Sequence, residues 1–181
     1  MTQYKQYPFL QKLEEGWEAV LEELDNLLYN EAANDKTYFS AWPETDIYEG
    51  TWDVFGLYLN GKKFEKNCSF CPKTTALIES IPGITTAGFS ALAPDTYISP
   101  HVGYTDEVLR CHLGLITPKA KPEVPQLESD CLLVQTCGLK VDQSLYNWVP
   151  GKAFVFDDTK EHSAWNYGDR TRFILLIDFK R

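Results

Sequence analysis

The sequence predicts a mainly-β fold of jelly-roll or cupin-like type, covered by a helix at its N-terminal end. Three observations carry this. The chain opens on one amphipathic helical pattern, continues after Trp52 as short strand patterns separated by turn-formers, and ends on a strand that is apolar on both faces. Many short strands after a leading helix fit a closed or two-layered antiparallel β architecture. At 181 residues the chain is long enough for one domain, 1–181, to bury a core of its own.

The helix is expected over residues 8–29. Leu10, Leu13, Trp17, Val20, Leu21, Leu24, Leu27 and Leu28 recur at three- and four-residue steps. Glu14, Glu15, Glu18, Glu22 and Glu23 take the remaining surface, where simple solvation accounts for them, and Asn30 ends the element. The β core is expected over 52–181. It begins with a strand from Trp52 to Leu59, closed by an Asn60-Gly61 turn. A short helix follows over Lys73 to Ile81, stopped by Pro82-Gly83.

Further strands are read at Thr86 to Leu92, Leu109 to Ile116, Cys131 to Thr136, Ser144 to Trp148, Lys152 to Phe156 and Arg172 to Phe179. In the last, Arg172, Ile174 and Leu176 point one way, and Phe173, Leu175, Ile177 and Phe179 the other. A strand buried on both sides fits a sheet with a core on one face and a helix on the other.

Composition excludes several classes. The formal charge of −9 is unsuited to nucleic acid or an acidic membrane surface. No stretch approaches the roughly 20 apolar residues of a membrane helix, and the N-terminus carries no apolar signal segment, so a cytoplasmic protein without a membrane partner is expected. The five cysteines are irregularly spaced. The Cys68-x-x-Cys71 pair has no second pair at zinc-ribbon spacing, and reduced thiols are the favoured reading.

The chemistry concentrates around the three histidines, His101, His112 and His162. Two histidines and a carboxylate commonly hold non-haem iron. The usual form is His-x-Asp/Glu, because alternate strand residues share a face. Here the second position after His101 is Gly103, so that carboxylate is missing. Arg110 and His112 share a strand face, and a hairpin could return them toward His101. Arg172 begins an apolar strand, where a buried guanidinium is costly unless it meets an anion. Arg110 and Arg172 are thus a candidate pair for a dicarboxylate, each holding one carboxyl group.

The runs PHVGYTDEVLRCHLGLITP at 100–118 and FDDTKEHSAW at 156–165, with the spacing onward to Arg172 in RFILLID, resemble the aspartyl/asparaginyl β-hydroxylase family. Weaker similarity reaches back through WDVFGLYLNGKKFEKN and CPKTTALIESIP to Trp52. The resemblance implies a double-stranded β-helix and an Fe(II)- and 2-oxoglutarate-dependent dioxygenase. Such an enzyme uses O2 to hydroxylate an unactivated C–H bond of an amino acid, a peptidyl or carrier-bound residue, or a related small molecule. It implies iron ligands at His101 and His162, with Gly103 in place of a carboxylate as a family trait. It implies 2-oxoglutarate contacts at Ser90, Arg110, His112 and Arg172, and an acid beside the second histidine at Asp158.

Trp52, Val108 and Asp158 are candidates for the substrate side. Two departures stand out. Val108 and Ile47 occupy places where the family pattern has arginines around an acidic substrate, so a less cationic pocket is expected. Alternatives are a halogenase, with an anion at the iron position opposite Gly103, and a lipid hydroxylase, which the lack of a membrane segment or basic apolar helix counts against. A non-catalytic cupin-like module would be marked by loss of a histidine or of both arginines, and all are present.

Overall fold

The computed structural model describes residues 3–34, 37–120 and 136–181. Two antiparallel sheets face one another, and helices cover the outer side of the larger. The larger sheet runs β1(Ser40–Ala41), β3(Trp52–Leu59), β5(Ile84–Leu92), β12(Arg172–Lys180), β7(Val108–Ile116), β10(Ala153–Phe156), with β4(Lys62–Lys63) paired to β3. The smaller runs β2(Tyr48–Glu49), β6(Thr96–His101), β11(His162–Asn166), β8(Cys137–Val141), β9(Ser144–Tyr146). This is the cupin-like, jelly-roll arrangement the sequence predicts.

Strand alternation produces two cores. Phe55, Leu57, Phe89, Leu113, Leu175 and Ile177 face outward and pack with Leu10, Leu13, Val20, Leu24 and Leu27 of the helices. Trp52, Leu92, Ile174 and Leu176 face inward and meet Ile98, Leu139 and Ala164 of the smaller sheet. The last strand is therefore buried on both sides because it lies near the middle of the larger sheet, between β5 and β7.

The helical layer differs from the single expected helix. After a short α1(Gln3–Gln6), the pattern is split into α2(Phe9–Glu15) and α3(Trp17–Asn34). The break falls at Gly16, where a Cβ would come 3.0 Å from Leu77 Cδ2, so helix α5(Pro72–Glu79) packs against bare backbone. The end at Asn30 is not observed either: α3 continues one turn further, to Asn34. Nor are all the acids merely solvated. Glu23 is buried and accepts hydrogen bonds from Lys73 N (2.7 Å), Thr74 N (2.8 Å) and Thr74 Oγ1 (2.7 Å), capping α5. Glu14 accepts from Ala153 N, tying α2 to β10.

The strand from Trp52 to Leu59 and its turn appear as expected, with Asn60 and Gly61 both at positive φ. A further helix, α4(Glu65–Phe70), precedes α5. Cys68 and Cys71, at their junction, are free thiols in the outer core; burial pushes the Cys71 thiol up to about 12. The strand expected at Cys131 to Thr136 lies almost wholly outside the described residues, and the strand beside it is Cys137–Val141. The strands β6 and β11, which carry His101 and His162, were not among those read from periodicity. The expected hairpin between His101 and Arg110 does not form: β6 lies in the smaller sheet and β7 in the larger, so the chain crosses the barrel instead.

Candidate active site

His101 and His162 are direct cross-strand partners in the β6–β11 pairing. Their ring centroids are 4.2 Å apart. Each ring is fixed in the same way. Nδ1 of His101 lies 2.8 Å from the carbonyl of Ser99, and Nδ1 of His162 lies 2.9 Å from the carbonyl of Lys160. A carbonyl can only accept, so each Nδ1 carries a proton, and Nε2 is the nitrogen whose lone pair the neutral tautomer offers. Burial, with His101 and Arg110 nearby, holds His162 down to about 4, which keeps it neutral at ordinary pH. Two adjacent imidazoles, each held by its own backbone so that Nε2 is left to face away from it, form a pair that could hold a metal ion.

Among the described residues, no group of three or more His, Cys, Asp or Glu side chains gathers as a metal site. Gly103 shows why a third ligand does not come from that position. A Cβ there would sit 2.6 Å from Oδ2 and 2.7 Å from Cγ of Asp158. The carboxylate of Asp158 already fills the space, and its backbone carbonyl accepts from Gly103 N at 2.7 Å.

Facing the histidines from β7 and β12 are two buried arginines with opposite surroundings. Arg110 donates from Nε to Asp178 Oδ1 (2.7 Å) and from Nη2 to Asp178 Oδ2 (2.9 Å), and its Nη2 lies 3.2 Å from Asp158 Oδ2. Burial weakens its charge, but the two carboxylates outweigh that and raise its pKa. Asp158 is itself raised, chiefly by burial, and its Oδ1 has no partner.

Arg172 donates from Nη2 to Ser90 Oγ at 3.0 Å and lies 4.4 Å over the Trp148 ring. No ion pair to it is found among the described residues, its Nε has no hydrogen-bond partner, and burial lowers it to about 10. His112 stands nearby. It accepts from Trp148 Nε1 at Nδ1 (3.2 Å), so its neutral ring carries the proton on Nε2, which is buried and unpartnered. Burial and the two arginines hold His112 well below its usual range.

These groups line a small inner cavity of about 30 Å³ that contains Ser90, His112, His162 and Arg172 on its wall. Beside it opens a cavity of about 650 Å³, mostly aromatic and aliphatic, that reaches His101 and Gly103. Trp52 belongs to both walls and donates from Nε1 to Ser90 Oγ at 2.9 Å.

The structure thus brings together His101, His162, Ser90, Arg110, His112, Arg172, Trp52 and Asp158. It does not bring Val108, which is buried at the start of β7 and lines neither cavity. The pairing of each arginine with one external carboxyl group did not foresee Asp178, which takes the bidentate face of Arg110. The signal was present: an aspartate in the apolar run RFILLIDFK, two residues past Leu176 on the inward face. Trp148 was also missed as a site residue. A buried indole N–H needs an acceptor, but nothing in the sequence says that it is His112.

A family profile described as Aspartyl/Asparaginyl beta-hydroxylase matches residues 14–181. Among curated relatives, the "Ornithine lipid ester-linked acyl 2-hydroxylase" of Rhizobium tropici is 34% identical over 174 residues, covering 96% of this chain and 57% of that protein. The human "Aspartyl/asparaginyl beta-hydroxylase" is 29% identical over 176 residues, covering 93% of this chain and 20% of that protein. The chain therefore spans little more than half of the first and a fifth of the second. A Thermotoga maritima crystal structure described as a predicted oxalate decarboxylase superposes with a TM-score of 0.50 at 9% identity, over 81% of this chain and 96% of that one. At that identity the likeness is one of fold.

Proposed function

The chain belongs to the aspartyl/asparaginyl β-hydroxylase family, and we propose that it is an iron(II)- and 2-oxoglutarate-dependent dioxygenase that hydroxylates an unactivated C–H bond. The observation that carries this reading is Arg172. It is a buried guanidinium without an acidic partner among the described residues, facing a small cavity that also receives the proton-bearing Nε2 of His112 and touches the paired histidines. Such an arrangement lacks an anion, and a dicarboxylate supplies one.

The residues fit the group the family implies. Nε2 of His101 and Nε2 of His162 would hold the iron, with Asp158 standing where a side chain at Gly103 would otherwise be. When bound, iron(II) with 2-oxoglutarate and O2 supplies the oxidising chemistry. The chain supplies the positioning. Arg172 and Ser90 would receive one carboxylate of 2-oxoglutarate, and the unpartnered Nε2–H of His112 would hydrogen-bond the other. Arg110 forms a fixed part of the wall, because Asp178 and Asp158 hold its guanidinium and offset its charge. Asp158, with one free oxygen beside His101's strand, can accept a hydrogen bond from water or substrate.

The family relatives offer two acceptor classes, an amino-acid side chain and a lipid acyl chain. The reading is tested by anaerobic addition of iron(II) and 2-oxoglutarate to the purified protein. A visible metal-to-ligand charge-transfer absorption that saturates at one equivalent and disappears in His162→Ala is expected. Iron binding that is unaltered by 2-oxoglutarate would overturn the proposal.

A further inference from the structure

His112 is held in the opposite way from the other two histidines. His101 and His162 set Nδ1 against a backbone carbonyl, which is an acceptor. His112 sets Nδ1 against the indole Nε1 of Trp148, which is a donor, at 3.2 Å. An indole nitrogen only donates, so Nδ1 of His112 has to supply the lone pair. Burial and the two arginines keep this ring neutral, and a neutral imidazole has a single N–H to place. It falls on Nε2, which is buried and has no partner. The ring atom that offers a lone pair in two histidines thus offers a hydrogen in the third.

Trp148 makes a second contact in the same place. The Arg172 guanidinium lies over its ring, with Cζ 4.4 Å from the centroid. A guanidinium stacked on an aromatic face keeps its N–H groups at its own edge. One of them, Nη2, donates to Ser90 Oγ, and Nε has no partner. His112 and Arg172 come from β7 and β12, which pair with each other, and both line the inner cavity with Trp148. The indole comes from neither strand but from the connection between β9 and β10.

That connection is seated on β7 beside His112. Gly114 lies two residues further on the same strand, and a Cβ there would come 2.4 Å from the Val149 carbonyl oxygen. The Gly114 carbonyl accepts from Gly151 N at 2.9 Å, and its N–H donates to the Lys152 carbonyl at 3.0 Å. Trp148 also borders a separate cavity of about 110 Å³ with Thr117 and Cys137. Close packing therefore does not enclose the indole on every side, and its two polar contacts orient it.

We propose that Trp148 is a positioning residue for the co-substrate: its N–H selects the His112 tautomer that carries a hydrogen on Nε2, and its ring holds the plane of the Arg172 guanidinium. The inference rests on the proposed function for the identity of the anion. It goes beyond it in assigning one side chain that prepares both anchors before the anion arrives.

Trp148→Phe keeps a ring against Arg172 and removes the N–H, whereas Trp148→Leu removes both. Tautomers are read by nitrogen NMR of the metal-free protein, with His112→Ala identifying the His112 signals. In the wild type, His112 should carry its hydrogen on Nε2 and the other two histidines on Nδ1. Trp148→Phe should abolish that preference at His112 and leave the other two unmoved. The 2-oxoglutarate affinity of the iron(II)-loaded protein, measured without O2, should fall about tenfold in Trp148→Phe. It should fall about a further tenfold in Trp148→Leu, where the guanidinium loses its platform. In a His112→Ala background, adding Trp148→Phe should change the affinity by less than about twofold.

A hydrogen on Nδ1 of His112 in the wild type, a tautomer untouched by Trp148→Phe, or an equal loss of affinity with and without His112 would each overturn the inference. The last result would mark a merely structural role. Should Trp148→Leu fail to fold, the spectra and the Phe variant decide. If the wild type binds 2-oxoglutarate and Trp148→Phe binds it equally well, the positioning role fails alone. If the wild type does not bind 2-oxoglutarate, the proposed function fails and the positioning role fails with it.

Discussion

Around Arg110 and around Arg172 the same barrel interior handles a buried guanidinium in two ways. Arg110 has two carboxylates, one of them bidentate. Arg172 has a hydroxyl, an aromatic face and an unpartnered Nε. Both arginines lie on inward-facing positions of neighbouring strands, so neither sheet position nor burial separates them. Their partners do. A charge whose partners are built into the fold is part of the fold. A charge left short of partners keeps hydrogen-bonding capacity that the fold does not use.

The contrast predicts opposite phenotypes. Arg110→Ala strands Asp178 and Asp158 together without a cation, and breaking a buried pair on one side costs about 3–5 kcal/mol. Its unfolding midpoint in urea should fall accordingly, with or without 2-oxoglutarate. Arg172→Ala strands no acid among the described residues. Its stability should be close to that of the parent, and its 2-oxoglutarate affinity should fall by about 2–4 kcal/mol, or roughly 30- to 1000-fold. Equal destabilisation of the two variants would erase the distinction between them.

The histidines sharpen the comparison through pH. His162 is held near 4 in the folded protein, against a usual 6.5, and His112 is lowered in the same direction. A histidine with a depressed folded value binds its proton more readily when unfolded. Its neutral form therefore favours the folded state fully only above about 6.5, and that contribution is lost as pH falls toward 4. For His162 the loss is on the order of 3 kcal/mol over that window. Thermal midpoints of the metal-free protein should drop between these limits, and less steeply in His162→Asn. Parallel curves would show that His162 is not the group responsible.

What the sequence disclosed follows from where the constraint lies. The last strand was legible because both its faces are apolar, and residues 52–59 because alternation ends at an Asn-Gly turn. The strands of His101 and His162 were not. Thr96–His101 and His162–Asn166 mix Ser, Pro, Asn and His with few apolar residues, and periodicity says little about such segments. Their motif contexts disclosed the histidines even so. The cost of burying a guanidinium singled out Arg172 and Arg110 alike and could not distinguish the two. That distinction needed Asp178, which lies 68 positions along the chain on β12, with β8 to β11 between it and β7 in sequence. Long-range pairing is what periodicity cannot encode.

Glu23 handles buried charge in yet another way, and supplies the smallest of the expected effects. It lies on the helical side of the larger sheet, far from the arginines in role, and neither a cation nor an external ligand satisfies it. Backbone N–H groups of Lys73 and Thr74 do, with the Thr74 hydroxyl. These donors open α5, so the carboxylate both fills orphan N–H valences and faces the positive end of the helix. Glu23→Gln keeps shape and burial but replaces one accepting oxygen with an amino group that cannot accept. The cost should be about 1–2 kcal/mol, the difference between charge-assisted and partly lost hydrogen bonds. It should appear in the urea midpoint and leave 2-oxoglutarate affinity unchanged. A change in that affinity comparable to the change in stability would mean that the helical layer and the barrel interior are coupled through the larger sheet. The two faces of β12 would then share one energetic unit, and the separation drawn between a charge built into the fold and a charge held for a ligand would be too sharp.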